Sequence, residues 1–172
     1  NNLKLSAMVN ASELLKSISI NNNLGVLFNL SSKDSFIDLV RIAARAADIE
    51  RLYDHTKYLK ESGYLVALNI MQISELSKEE ITYFAKILDE YPIDILYIAD
   101  SMGCLNPENI EPIINIISEN FSRSIGVHTH DNLGLALANT IRSLNVGASW
   151  LDSTVLGIGR GPGNTKTEEL II

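Results

Sequence analysis

One pattern constrains the fold more than any other: strand-like apolar runs alternate with segments of helical spacing. Residues 4–9, 36–43, 64–73 and 93–99, the stretch around Val127 and residues 150–156 read as strands. Residues 24–28 form a further short apolar run, a strand or a turn. Between the strands, residues 11–19 place Leu14, Leu15 and Ile18 at helical spacing. Asp48 is a candidate cap for a helix through Leu52, His55, Tyr58 and Leu59, stopped by Gly63. Ser77 and Glu80 form a capping box ahead of Ile81, Phe84, Ala85 and Leu88. Pro107 opens a helix striped by Ile110, Ile113, Ile114 and Ile117. Residues 133–144 and 165–172 are the last two helical stretches. The repeat of roughly 25 to 30 residues is the size of a βα unit, and about six units imply a parallel sheet.

The polar residues with chemical capacity fall at the C-terminal ends of these strands. They are Arg41 and Arg45, Asn69 and Gln72, Asp100 and Ser101, His128 and His130, and Asp152 and Thr154. A doubly wound sheet gathers its site at one switch point, whereas a (β/α)₈ barrel gathers it from nearly every strand end. The distribution favours the barrel. Eight units need about 250 residues, so a chain of 172 reads as an incomplete TIM barrel. Two open sheet edges would then call for association or further sequence.

Composition narrows the function classes. A hydrophobic fraction of 46% can build a real core, and a net charge of -7 argues against a nucleic-acid surface. Cys104 is the single cysteine, so no internal disulfide forms and a reducing, cytoplasmic setting is expected. Its expected role is that of a small buried residue. No apolar run is long enough for a membrane span, and no signal-peptide pattern opens the chain.

Two stretches carry the chemistry. In residues 125–132 (IGVHTHDN), His128 and His130 are two apart on a strand and so share a face. Two neutral imidazoles held this way can grip a divalent metal, or can be ordinary polar residues at a strand end. Residues 157–164 (GIGRGPGN) hold four glycines and a proline. The loop matches neither a Walker loop nor the dinucleotide fingerprint. It can wrap a small ligand or present N–H groups to an anion, and Asn164 adds a carbonyl oxygen suited to a hard cation. Asp100 is either a loop cap or a site residue. Arg41, inside an apolar strand, either snorkels or faces an anionic substrate. Asn69 poses the same question with a neutral group. His55 and Trp150 read as packing or surface residues, and the Glu79–Glu80 and Glu168–Glu169 pairs as solvated residues near helix starts.

Taken together, GVHTHDNLGLALAN, the later LGIGRGPGNTKTEE and the ADSMG segment at 99–103 resemble the metal-dependent aldolase and lyase barrels. That superfamily includes HMG-CoA lyase and 4-hydroxy-2-oxovalerate aldolase, with the aldolase branch closest in style, and the isopropylmalate and homocitrate synthases. The likeness runs from about Lys4 to Ile172. It implies a partial barrel over residues 1–172, about strands 3 to 8, lacking roughly the first two βα units. It implies carbon–carbon bond cleavage or formation on a 2-oxo acid, through a pyruvate-type enolate stabilised by Mn²⁺ or Mg²⁺. His128, His130 and Asn164 would be metal ligands. Asp100, Ser101 and Arg41 would be catalytic, and Asn69, Thr154, Gly159 and Gly161 would line the substrate. A 2-oxo acid or aldehyde substrate, a homo-oligomer and an aldehyde dehydrogenase partner are also implied. The alternatives are an acyl-CoA condensing synthase and a non-catalytic barrel. The family's Arg-Asp pair and the aldolase branch's histidine are not in this chain, so weak metal binding and little activity are expected of it alone.

Overall fold

The computed structural model describes residues 3–16, 19–20 and 24–171. Six strands pair in parallel and in sequence order. They are β1 (Ser6–Asn10), β2 (Leu39–Ala44), β3 (Leu65–Ile70), β4 (Ile95–Asp100), β5 (Ser124–Thr129) and β6 (Trp150–Leu151). The helices between and after them are α1 (Ala11–Leu14), α2 (Leu24–Leu27), α3 (Tyr53–Glu61), α4 (Lys78–Glu90), α5 (Pro107–Asn120), α6 (Ala136–Asn145) and α7 (Thr167–Leu170). Strands β3 and β4 are buried nearly end to end, as near-continuous apolar runs require when both faces are covered.

The two faces of the sheet bury different sets. Val40, Ile42, Val66, Leu68, Leu96, Ile98, Ile125 and Val127 pack outward against the helices in one large core. Leu39, Ala67, Ile95 and Tyr97 form a small cluster on the opposite face. Period two then assigns Arg41, Asn69, Ala99 and His128 to this second face. The sheet is strongly curled. Strands β2 and β6 stand four places apart, which in a flat sheet is about 19 Å. Yet Arg41 on β2 reaches Asp152, one residue past β6, at 2.7 Å. Only a sheet closing on its inner face brings them together. The inner face is therefore the interior of an incomplete barrel.

Local signals hold where they rest on specific chemistry. Ser77 and Glu80 make a full capping box on α4. Asn106 caps α5, with Pro107 in its first turn. Gly63 takes φ +88° just past α3 and stops it. Four expectations are corrected. Residues 24–27 are helical, because Leu24 anchors the segment on the outer core while Val26 and Leu27 stay exposed. The second strand begins at Leu39, leaving Phe36 90% exposed. Residues 46–51 form a 3₁₀ turn before α3 rather than its first turn, and Asp48 caps nothing. The last strand ends at Leu151: the Asp152 N–H still bonds the Val127 carbonyl, but by Thr154 the backbone has turned to pair with residues 165–167. Ile18 and Ile172, placed in helices above, lie outside the described residues. Among those residues, no helix is long and apolar enough to cross a membrane.

Candidate metal and substrate site

A cavity of about 220 Å³ opens at the C-terminal ends of the strands, on the inner face. Asn69, Ser101, His128, His130 and Arg160 give it polar groups, and Met8, Ala43, Met71 and Ala99 give it an apolar wall. The inner-face parity of each strand explains the set: Met8 and Asn10, Asn69 and Met71, Ala99 and Ser101, and His128 and His130 each stand two apart, and Ala43 stands two past Arg41, level with Asn10.

The two imidazoles lie edge to face, their centroids 4.9 Å apart. Each is fixed through Nδ1. The Nδ1–H of His128 donates to Asp152 Oδ2 at 2.9 Å, and that of His130 donates to the Asp100 carbonyl at 2.9 Å. The partner of each ring is an acceptor, so each Nδ1 carries a proton and leaves Nε2 as the nitrogen that can ligate. This arrangement is the one that prepares histidine to ligate a metal. Burial pushes the His130 pKa below its usual value, outweighing the Asp100 carbonyl hydrogen bond that raises it, and this favours the neutral ring. Asn164 pairs with His130 through an antiparallel bridge, and the Asp131 N–H bonds the Gly163 carbonyl. Asn164 Oδ1 is buried and, among the described residues, has no donor. An orphaned oxygen on the residue bridged to His130, one of two imidazoles anchored at Nδ1, fits a hard divalent cation. No group of three or more His, Cys, Asp or Glu side chains clusters for a metal among the described residues. The fit therefore rests on two imidazoles and an amide.

Behind the cavity lies a charged relay. Asp152 accepts from Arg41 Nη1 at 2.9 Å and Nη2 at 2.7 Å, as well as from His128. Burial alone would raise the Asp152 pKa, but the His128 and Arg41 hydrogen bonds outweigh it and hold the carboxyl below its usual range. Arg41 also lies over the Tyr97 ring at 3.9 Å, and its Nε–H points to Asn69 Oδ1 at 3.5 Å. Burial, reinforced by the Asp152 charge, pushes the Tyr97 phenol well above its ordinary pKa. The Tyr97 ring fits because the residue facing it is Gly126, where a Cβ would stand 2.5 Å from the ring.

The structure brings His128, His130, Ser101 and Asn69 to one cavity and sets Asn164 beside it. It does not bring the other candidates there. The Asp100 carboxylate is on the helix-facing side of β4, where it caps the Cys104 and Leu105 N–H groups at 3.2 Å each. It is a loop cap. Arg41 has its guanidinium occupied by Asp152 and so does not face a substrate. Thr154 closes the chain end, its N–H on the Thr165 carbonyl, and is absent from the cavity wall. Gly159 packs under the Asn164 amide, and Gly161 makes a turn at φ +61° with open space around it. The glycine-rich loop is a tight turn, closed by Asn164 N–H on the Gly157 carbonyl at 3.0 Å. What it sends into the cavity is Arg160, whose Nη2 bonds the Ser101 carbonyl at 2.8 Å. Cys104 is exposed rather than buried, because its loop runs over the surface.

The strand-end pattern pointed to Asp152 without assigning it a role, and Tyr97, Arg160, Met8 and Asn10 had none. Asp152 had a signal, a carboxylate two residues past the start of the last strand. Tyr97 had one too, in the glycine that precedes His128 by two.

The sequence matches the HMGL-like family model over residues 13–172. It is 35% identical over 140 residues to a 4-hydroxy-2-oxovalerate aldolase from Geobacillus genomosp. 3, covering 81% of this chain and 42% of that protein. The chain thus spans about two fifths of the length of the curated relatives it matches. Its fold matches the Bacillus subtilis HMG-CoA lyase with a TM-score of 0.76 at 20% identity, over 96% of this chain and 60% of that one. It also matches the carboxyl transferase domain of Rhizobium etli pyruvate carboxylase, with a TM-score of 0.82 at 17% identity over 99% and 30% of the two chains. The structural likenesses agree with the incomplete TIM barrel that the curled sheet describes, and the family model, matched over nearly the whole sequence, settles the lineage: the chain belongs to the HMGL-like family.

Proposed function

We propose that this chain carries the metal- and substrate-binding part of an aldolase-type lyase acting on a 2-oxo acid, in the manner of 4-hydroxy-2-oxovalerate aldolase. One observation carries the reading: two imidazoles, each anchored at Nδ1 by an acceptor, stand on one cavity, and Asn164, bridged to one of them, has a buried oxygen with no donor among the described residues. His128, His130 and Asn164 would hold the cation. Mn²⁺ or Mg²⁺ bound there supplies Lewis acidity for the negative charge that develops on the 2-oxo group as the carbon–carbon bond breaks. Ser101 Oγ already accepts the Gln72 N–H at 3.0 Å, so its own proton is available for a substrate oxygen. Arg160 spends one nitrogen on the Ser101 carbonyl and offers the rest of its fork to a carboxylate. Asn69 presents its amide from β3. The apolar wall of Met8, Ala43, Met71 and Ala99 limits water around the reacting carbons. We further assign these residues to about strands 3 to 8 of the whole barrel, in a cytoplasmic homo-oligomer. The remaining cation ligand and the base would come from outside them. An aldehyde dehydrogenase as partner belongs to the same proposal.

The test is Mn²⁺ titration followed by electron paramagnetic resonance. His128→Ala and His130→Ala are each expected to weaken binding by about tenfold or more, from an already weak starting affinity. Equal affinity in wild type and both variants overturns the metal reading. Pyruvate release from a 4-hydroxy-2-oxo acid tests the reaction in the whole protein. Consumption of acetyl-CoA with a 2-oxo acid instead would point to a condensing synthase.

A further inference from the structure

We propose that Arg41 and Asp152 act as a positioning device for His128, fixing its tautomer and ring plane so that Nε2 faces the cavity. The proposal rests on the metal reading only for its consequence on cation affinity; the geometry stands without it.

Both oxygens of Asp152 are committed. Oδ1 takes Arg41 Nη1, and Oδ2 takes Arg41 Nη2 and the His128 ring. A two-pronged guanidinium fixes the plane of a carboxylate as a single ammonium cannot. The plane of the carboxylate then sets the direction of the His128 Nδ1–H. Arg41 is itself held in place, on one face by the Tyr97 ring at 3.9 Å and along its edge by Asn69. Tyr97 can lie flat there only because Gly126 has no side chain. His130 needs none of this, since a backbone carbonyl anchors it. The two imidazoles therefore have separate supports, one built from side chains and one from main chain. Removing the first should affect His128 alone.

The experiment reads the imidazole nitrogens of the whole chain, without metal, by ¹⁵N-resolved NMR, and then measures Mn²⁺ affinity. In Asp152→Asn one amide oxygen is left for three donor groups. His128 is expected to lose its pure Nδ1–H signature while His130 keeps its own, and Mn²⁺ affinity is expected to fall about 10- to 100-fold. Arg41→Lys keeps the charge but not the fork. It should retain the tautomer and weaken Mn²⁺ binding about 3- to 10-fold, between wild type and Asp152→Asn. Should Asp152→Asn fail to fold around an unpaired Arg41, the double variant R41M/D152N removes both charges and should give the same His128 change. A His128 ring still purely Nδ1–H in the Asp152 variants overturns the proposal, as does wild-type affinity in Arg41→Lys. If the wild-type chain binds no Mn²⁺ at all, the metal reading falls, and the tautomer measurement decides this one by itself.

Discussion

Asp100 and Asp152 make an instructive pair. Both follow apolar strand residues at the same rim, and both are well covered. Asp100 is the last residue of β4 and turns outward, where it caps two loop N–H groups. Asp152 follows β6 and turns inward, where it binds an arginine and a histidine. The difference is one of parity. Ile95, Tyr97 and Ala99 face the interior, so Asp100 cannot. Trp150 sits level with Gly126 in the ladder, so Asp152 sits level with His128. A carboxylate at a strand tip is a site residue or a scaffold residue according to whether it falls on an odd or even step.

Four substitutions or conditions can break or sharpen this contrast. Asp152→Ala should cost the most, about 3 kcal/mol, because it leaves Arg41 nearly buried without a partner; urea unfolding against wild type measures it, and a loss under about 1 kcal/mol would reduce Asp152 to the rank of Asp100. Next, Gly126→Ala should destabilise by about 1–3 kcal/mol, since the new methyl meets the Tyr97 ring. The Tyr97 environment, read by near-ultraviolet circular dichroism, should change with it. Asp100→Asn keeps an oxygen for the loop and loses only charge assistance. About 1 kcal/mol is expected, with Mn²⁺ affinity nearly unchanged, because His130 is anchored by the Asp100 main chain. An affinity drop equal to that of Asp152→Asn would erase the contrast.

The smallest effect is in pH. The folded Asp152 carboxyl titrates below its ordinary 3.8, so its contribution is full above that value and is lost as the pH falls through the folded one. His55 and His130 are held below 6.5, with burial the leading cause for each. Each resists a proton that the unfolded chain accepts, so stability declines as the pH drops below 6.5 toward the folded values and is level above it. Asp152→Asn should remove the acid step and leave the histidine slope. A metal-free stability profile from pH 3 to 8 (roughly the span of those titrations) separates the two.

The barrel and the histidine pair were legible because each rests on a period. Alternating elements imply a parallel sheet, and a two-residue spacing implies a shared face. The capping box of Ser77 and the stop at Gly63 were legible because their chemistry is local. Asp100 was ambiguous for a physical reason. β4 is buried on both faces, so its run of apolar residues carries no alternation to say which face is inside. Arg41 was misassigned because its partner lies 111 residues away. A charge in an apolar strand announces that it needs something, but not what. Thr154, Gly159 and Gly161 were implied by the family resemblance, and a resemblance does not show that Thr154 pairs with Thr165, that Gly159 packs under the Asn164 amide or that Gly161 turns in open space. Residues 24–28 read as a strand or turn because four apolar side chains carry too little periodicity to separate it from a helix.

The reach of Arg41 also bears on how the molecule assembles. Its contact with Asn69 spans 28 residues, whereas its contact with Asp152 spans 111. By chain statistics alone the longer closure costs about 1 kcal/mol more. Neighbouring βα units can dock one after another as they are synthesised, yet the histidine pair lacks its full support until Asp152 has come round to Arg41. Competence at this centre should thus follow the pairing of strands β2 to β6 on refolding, and its loss should be an early sign that the ring has begun to open.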